Sequence, residues 1–342
     1  MIIIDNDKIQ SLSRHLEKAQ KVVITAHMSP DGDAIGSTLG LWHVLKQAGI
    51  SATVVVPDDY TKQLSILPGV KEIVIFSRHK QMAVSLLAEA DLIFCLDYND
   101  KMRIDRLGQY VADSPAHKIM IDHHLEPSDL CQLTISYPEM SSTCMLLYIV
   151  LCQAGMSNYI NSDAATCILA GMMTDTGNFS YNANDPDIYP IIGQLIQAGA
   201  NHDLLVKQLF DTFGESYLKI QGYAVSKKMQ IWKEYGAALI TLTRDELNMM
   251  HYSKGDTEGL VNKPLAIPGV VYSVFLREEE RYIKVSMRSI GDFPCDQICS
   301  KYFGGGGHVN AAGGEFYGSL AQAVEVFKSI LPINKKMYID KK

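Results

Sequence analysis

The sequence predicts an α/β protein of two lobes: an N-terminal domain built on a mostly parallel sheet with helices on both faces, and a smaller C-terminal α/β domain. Short β-rich runs alternate with amphipathic, helix-like stretches through the first half of the chain, the pattern of parallel strands joined by helical crossovers. The length of 342 residues and the 47% hydrophobic composition suffice for two domains that each bury a sizeable core.

The N-terminal strands are expected at KVVITAH, ATVVVP, EIVIF, DLIFCLD and HKIMIDHH, with AIGSTLGLWHVLKQAG and QMAVSLLAEA as helices among them. Gly36 and Gly40 in the first helix are expected to permit close packing on the sheet. More helices follow at about Ser142–Ala154, Ala164–Met173, Pro186–Ala198 and His202–Phe213, with Gly155, Gly199 and Gly214 as stops. Glu215 to Tyr235 reads as a helical bridge of mixed charge. Beyond it, AALITL, VVYSVFLRE and RYIKVSMRS read as strands, with helices near Asp296–Tyr302, Val309–Ala312 and Leu320–Leu331. The expected division is therefore 1–214 for the first domain, 215–235 for a helical linker, 236–332 for the second domain and 333–342 for a loosely held tail.

Charge and cysteine usage narrow the function. A formal charge of −7 argues against wrapping long duplex nucleic acid, which draws on many Lys and Arg contacts to phosphate. A short anionic ligand gripped by a few residues and metal is compatible. Seven cysteines, scattered and without paired CxxC spacing, read as reduced core thiols. Apolar stretches are broken well before the about 18 positions of a membrane span, and the first residues lack a signal-peptide pattern. The expected location is the cytoplasm, with no membrane partner; a homodimer is compatible with the sequence.

The chemistry gathers at predicted strand ends. In open parallel sheets ligands bind beyond the carboxyl ends of the strands, where the following loops converge. After VVIT come His27, Asp31 and Asp33; after LIFCL comes Asp97; after KIMI come Asp122, His123 and His124; and Asp175 follows an apolar helix-like run in GMMTDTGNFS. Any one of these reads as a turn or cap residue. Together, so many carboxylates would repel one another and resist desolvation, and bound metal is the natural compensation. Mixed nitrogen and oxygen donors favour Mn²⁺ or Mg²⁺, with zinc also compatible. Two such ions can hold a phosphate and activate water for in-line attack.

These blocks resemble the DHH phosphoesterase superfamily, named for the triplet that stands here as Asp122-His123-His124. The sequence carries HMSPDGDAIGS, LDYND, IDHH and TDTG in order, and GGGGHVNAAGG is similar to the glycine-rich motif of the associated DHHA1 domain. Length and two-lobe plan look most like the NrnA-type nanoRNases. The resemblance implies that His27, Asp31 and Asp97 hold one metal and that Asp33, Asp97, His123 and Asp175 hold the other, with Asp97 bridging. It places Asp122 behind the ligands as an orienting group. His124 would face the substrate phosphate and assist protonation of the leaving oxygen. In the second lobe, Gly304, Gly305, Gly306, Gly307 and His308 are expected to offer backbone N–H groups and a helix N-terminus to an anion. Arg288 is placed toward the phosphate, and the cleft between the lobes would receive the substrate.

The function implied is two-metal hydrolysis of short oligoribonucleotides and of 3′-phosphoadenosine 5′-phosphate, with Mn²⁺ the favoured ion. Four alternatives stand beside it. A RecJ-like long-strand DNA exonuclease is disfavoured by the acidic balance and the lack of an evident OB-like domain. Cyclic-dinucleotide hydrolysis is disfavoured by missing membrane and sensory segments, and pyrophosphatase or exopolyphosphatase activity by the glycine-rich second lobe. A non-catalytic nucleotide-binding module would be expected to lack metal ligands, and none is missing here.

Overall fold

The computed structural model describes residues 2–339, and the chain divides into two compact units, Met1–Thr212 and Phe213–Lys342. In the first, α1 (Asn6–Lys18) and β1 (Val22–Thr25) precede α2 (Gly32–Gln47), β2 (Ala52–Val56) and the short β3 (Val74–Ile75). Then come α3 (Lys80–Glu89), β4 (Leu92–Leu96), α4 (Leu107–Asp113), β5 (His117–Asp122) and β6 (Leu133–Ser136), and four helices close the unit: α5 (Thr143–Gln153), α6 (Ser162–Asp175), α7 (Ile188–Gln197) and α8 (His202–Leu209).

All six strands run parallel in the order β3-β2-β1-β4-β5-β6. Every residue of β1 and β4 is buried, as a sheet covered on both faces requires. One cover draws its core from α1, α2, α5 and α6, the other from α3 and α4. The strand order turns back between β1 and β4, and a doubly wound sheet opens a crevice at such a point. His27 through Asp33 and Asp97 leave the sheet there.

Gly36 and Gly40 pack against a helix, not the sheet. A Cβ on Gly36 would lie 2.5 Å from the carbonyl oxygen of Cys167, and one on Gly40 would lie 2.6 Å from Ile168 Cγ1. These small residues let α2 and α6 touch along their backbones, which carries Asp33 at the start of one helix toward Asp175 at the end of the other. In this unit α1, α4 and β6 have no counterpart among the expected elements. Helix α1 is polar apart from Ile9, Leu12 and Leu16, and β6 is a four-residue strand with only alternate positions buried.

In the second unit, α9 (Glu215–Tyr223), β7 (Gln230–Trp232), β8 (Ala237–Leu242) and α10 (Arg244–Met249) precede β9 (Tyr272–Glu278), β10 (Ile283–Ser289), α11 (Cys295–Phe303), β11 (Gly305–His308), β12 (Ala311–Phe316) and α12 (Leu320–Ile339). A mixed sheet in the order β11-β12-β10-β9-β8-β7 has α11 and α12 in the core of one face. The expected helical bridge over 215–235 is helical only in its first part. A π-turn at Ala224–Lys228 ends it, and Gln230–Trp232 enters the sheet as an antiparallel edge.

Two further expectations are corrected. The glycine run does not open a helix: Gly305–His308 is a strand paired with β12, and the segment expected as a helix at 309–312 is a two-residue turn followed by the start of β12. A Cβ on Gly305 would fall 1.9 Å from Gly313 O, so only glycine allows the ribbon to close. The tail expected from 333 continues α12 to Ile339, and 340–342 lie outside the described residues. Among the described residues no helix is long and apolar enough to cross a membrane, and all seven cysteines are free.

Candidate metal and phosphoester site

Four segments, those that follow β1, β4 and β5 and the end of α6, bring six expected ligands together. Among the described residues, His27, Asp31 and Asp97 form one group able to hold a cation, and Asp33, His123 and Asp175 form another. Asp97 links them: Oδ2 lies 3.3 Å from His27 Nε2, and Oδ1 lies 3.7 Å from His123 Nε2. His27 Nε2 is also 3.7 Å from Asp31 Oδ1, and His123 Nε2 is 3.4 Å from Asp175 Oδ2 and 4.0 Å from Asp33 Oδ2.

The two imidazoles are oriented alike. His27 Nδ1 meets the carbonyl oxygen of Met28 at 2.8 Å, and His123 Nδ1 meets that of Met140 at 3.1 Å. A carbonyl only accepts, so each Nδ1 carries a hydrogen and each Nε2 is directed among carboxylate oxygens. A neutral imidazole presents a lone pair there, against other lone pairs. Only a proton or a metal ion between them makes the contact attractive, and nitrogen and carboxylate donors of this kind suit a divalent ion.

The carboxylates show the same demand for positive charge. Burial, with the charge of Asp97 next, pushes Asp33 up to about 7. Burial and the charges of Asp33 and Asp97 push Asp175 up to about 10. Burial also opposes ionisation of Asp97, but the His27 hydrogen bond and the three surrounding imidazoles outweigh it and hold that carboxyl at about 2. His27 is raised well above the ordinary imidazole range: burial pulls it down, and Asp31 and Asp97 more than reverse this. Crowded carboxylates, two of them buried, that face one another and two imidazoles without a Lys or Arg paired to them among the described residues fit a divalent-cation site.

The fold holds these groups by ordinary means used tightly. Asp97 follows β4 with φ of 61° although it is not glycine, a costly conformation that turns its carboxylate into the crevice. Asp31 caps α2, its Oδ1 accepting from the amides of Asp33 and Ala34. Asp33 lies across the start of α5, accepting from Thr143 N at 2.6 Å and Cys144 N at 2.9 Å, a favourable place for a carboxylate. Thr143 Oγ1 donates to Asp97 Oδ1 at 3.0 Å.

His124 differs from its neighbour. Its Nδ1 donates to Asp122 Oδ1 at 2.7 Å and its backbone N–H donates to Asp122 Oδ2 at 3.1 Å. Asp122, fully buried at the end of β5, therefore orients His124, while a backbone carbonyl orients His123; the expectation had set Asp122 behind a metal-bound imidazole. The Nδ1 of His124 is thus committed to Asp122.

In the second unit, Arg288 on β10 pairs with Ala311 on β12, which also pairs with His308 on β11. Directly paired residues share a sheet face, so the guanidinium and the imidazole stand in one row with a small residue between them. Arg288 Nη1 donates to Met287 O at 2.9 Å. The glycines beside His308 build the ribbon.

Sequence reasoning missed Thr143 and the carbonyl of Met140, which tie Asp33, Asp97 and His123 to the start of α5. The signal was present in MSSTCMLL, where Ser142 precedes an apolar run and reads as a helix cap. It also missed Asp58, which accepts from the amide and hydroxyl of Ser29 and pins the loop between His27 and Asp31.

Residues 21–172 match the N-terminal domain of the DHH family, and residues 248–332 match the DHHA1 domain. A relative from Thermus thermophilus, a bifunctional oligoribonuclease and PAP phosphatase NrnA, is 31% identical over 89% of this chain and 87% of its own length. This chain belongs to the DHH/DHHA1 phosphoesterases. The Bacillus subtilis NrnA, also a bifunctional oligoribonuclease and PAP phosphatase, is 27% identical over 90% of this chain and 92% of its own. The crystal structure of an exopolyphosphatase-related protein from Bacteroides fragilis superposes with a TM-score of 0.97 at 45% identity, covering 98% of this chain and 99% of that one. As a DHH phosphoesterase the chain is a hydrolase of phosphoric esters.

Proposed function

We propose that this DHH phosphoesterase hydrolyses short oligoribonucleotides and removes a phosphate from 3′-phosphoadenosine 5′-phosphate, using two divalent ions, with Mn²⁺ favoured over Mg²⁺. The observation that carries the metal requirement is the pair of imidazoles whose Nδ1–H groups are tied to carbonyls while both Nε2 atoms face the single carboxylate of Asp97. His27, Asp31 and Asp97 would hold one ion; Asp33, Asp97, His123 and Asp175 would hold the other. Bound there, divalent ions supply Lewis-acid charge that acidifies water and offsets the negative charge of a phosphoryl group.

The chain supplies the rest. Asp97 sets the spacing of the two donor groups through its two oxygens, and Asp122 fixes the tautomer of His124 through Nδ1. His124 can then hold a proton at Nε2 and deliver it to the departing oxygen. We assign Arg288 and His308 to the substrate's phosphate and nucleotide end, where a guanidinium makes two hydrogen bonds that an ammonium cannot. The substrate class rests on the likeness to the NrnA relatives and on the acidic chain, which suits a short ligand. We place the protein in the cytoplasm on the strength of its free thiols.

A Mn²⁺-dependent assay against dinucleotide RNA, 3′-phosphoadenosine 5′-phosphate, cyclic di-AMP and pyrophosphate, compared as kcat/KM, tests this. The first two substrates are expected to lead. Pyrophosphate or cyclic di-AMP well ahead of both would overturn the substrate assignment.

A further inference from the structure

We propose that Tyr181 is the platform on which a nucleobase of the substrate stacks, a specificity role that rests on the reading of this site as a nucleotide phosphoesterase site. The ring belongs to the segment that leaves Asp175. Helix α6 ends there, and the chain turns through Gly177, Asn178 and Phe179 and again at Asn182 with φ between 50° and 60°. For Asn178 and Phe179, which are not glycine, this conformation is costly unless the surroundings enforce it.

Thr176, fully buried, does so. Its hydroxyl donates to Met172 O at 2.6 Å and accepts from Phe179 N at 3.0 Å, and its carbonyl accepts from Ser180 N and Tyr181 N at 2.9 and 3.1 Å. Asn178 N donates to Met173 O at 2.7 Å. The segment is thus tied to the last turn of the helix that delivers Asp175.

Tyr181 lies directly on Gly177. A Cβ there would come within 2.3 Å of two ring carbons, and Gly177 has φ of 54°, so the position needs glycine twice over. The ring rests on bare backbone two residues from Asp175, yet Tyr181 is 54% exposed. An aromatic residue serving only the core would be covered. Phe179, nearby in sequence, packs against the main core of the unit. A ring that rests on a glycine, about half exposed and beside a phosphoester site, has the form of a stacking surface, and stacking accepts any base because every base has a π-face.

The test compares binding of AMP and ribose 5-phosphate by calorimetry in Mn²⁺, in the wild type and in Tyr181→Ala, Tyr181→Leu, Tyr181→Phe and Tyr181→Trp. The wild type should prefer AMP by about ten- to hundredfold, the range of one base–aromatic stack. Phe and Trp should keep the preference. Ala and Leu should lose it, Leu despite filling similar space, because it lacks the π-face. A preference for AMP that persists in Ala or Leu, or a wild type that binds both ligands equally, overturns the platform. Failure of the underlying reading shows separately, as a wild type that does not cleave dinucleotide RNA, while the ligand comparison still decides the stack.

Discussion

A single carboxylate in the second unit and a carboxylate cluster in the first are built on opposite plans. In the second unit, Glu246 Oε1 accepts from Lys228 Nζ and Tyr223 Oη at 2.7 Å each, and Oε2 accepts from the backbone of Thr243 at 2.9 Å in a capping box. Burial acts against its charge, but these donors outweigh it and hold the carboxyl at about 2. In the first unit, Asp33, Asp97 and Asp175 face one another and two imidazoles, with no Lys or Arg paired to them in the described residues. A carboxylate that serves the fold brings its cation along in the chain. The crowded site has no such partner among the described residues, and under the proposed function its positive charge comes from bound metal.

The largest effect that would break this contrast is Asp97→Asn. Turnover should fall to background and the affinity of both metal positions should drop, because one carboxylate faces both donor groups; metal analysis and kinetics should change together. Full turnover with two ions retained would remove Asp97 from its bridging place.

Separating the two adjacent imidazoles sharpens the contrast further. His124→Ala should keep metal content and lose about a hundredfold or more in turnover, the lower range for a positioned acid. His123→Ala should lose metal. The reverse pattern would show that Asp122 orients a ligand after all.

A smaller loss is expected in the second unit. Arg288→Ala and His308→Ala should each lower kcat/KM for nucleotide substrates about ten- to hundredfold, with metal content and folding unchanged. Arg288→Lys should recover only part of it. Unchanged kinetics in both alanine variants would take substrate recognition away from this row of the sheet.

The smallest change concerns stability alone. Glu246→Gln should cost about 1 kcal/mol through the weakened cap and leave turnover intact. The folded carboxyl lies below its unfolded value, so its contribution is present above about pH 4 and fades as the pH falls toward 2. The gap in denaturation midpoint between wild type and variant should therefore close over that window; a gap that widens on acidification would contradict the assignment.

Much of this was legible in the sequence because the residues concerned are local. His27, Asp31 and Asp33 share one loop, and Asp97 and the DHH triplet sit at the ends of adjacent apolar strands, so the rule for parallel sheets places them together without coordinates. What was not legible depends on contacts between distant segments. The close pairing of α2 with α6, the capping of α5 by Asp33 and the Met140 carbonyl behind His123 join residues 17 or more positions apart. The glycine run misled for a related reason: a string of glycines lacks the side-chain periodicity that separates strand from helix, and its true partner, the Ala311–Gly314 segment, follows only after the turn. Tyr181 carried no pattern at all, since an aromatic two residues beyond a core phenylalanine reads as more core.

The most direct measurement is the thermal midpoint at pH 8, in chelator and in Mn²⁺, of the wild type and Asp175→Asn. A carboxyl whose folded value is raised to about 10 destabilises the metal-free protein once the pH exceeds its unfolded value. Asp175→Asn should therefore melt higher than the wild type in chelator. Mn²⁺ should raise the wild-type midpoint by several degrees and the variant's by much less. A wild type indifferent to Mn²⁺, or a variant that melts lower than the wild type in chelator, would contradict the claim that this site has its positive charge supplied from outside the chain.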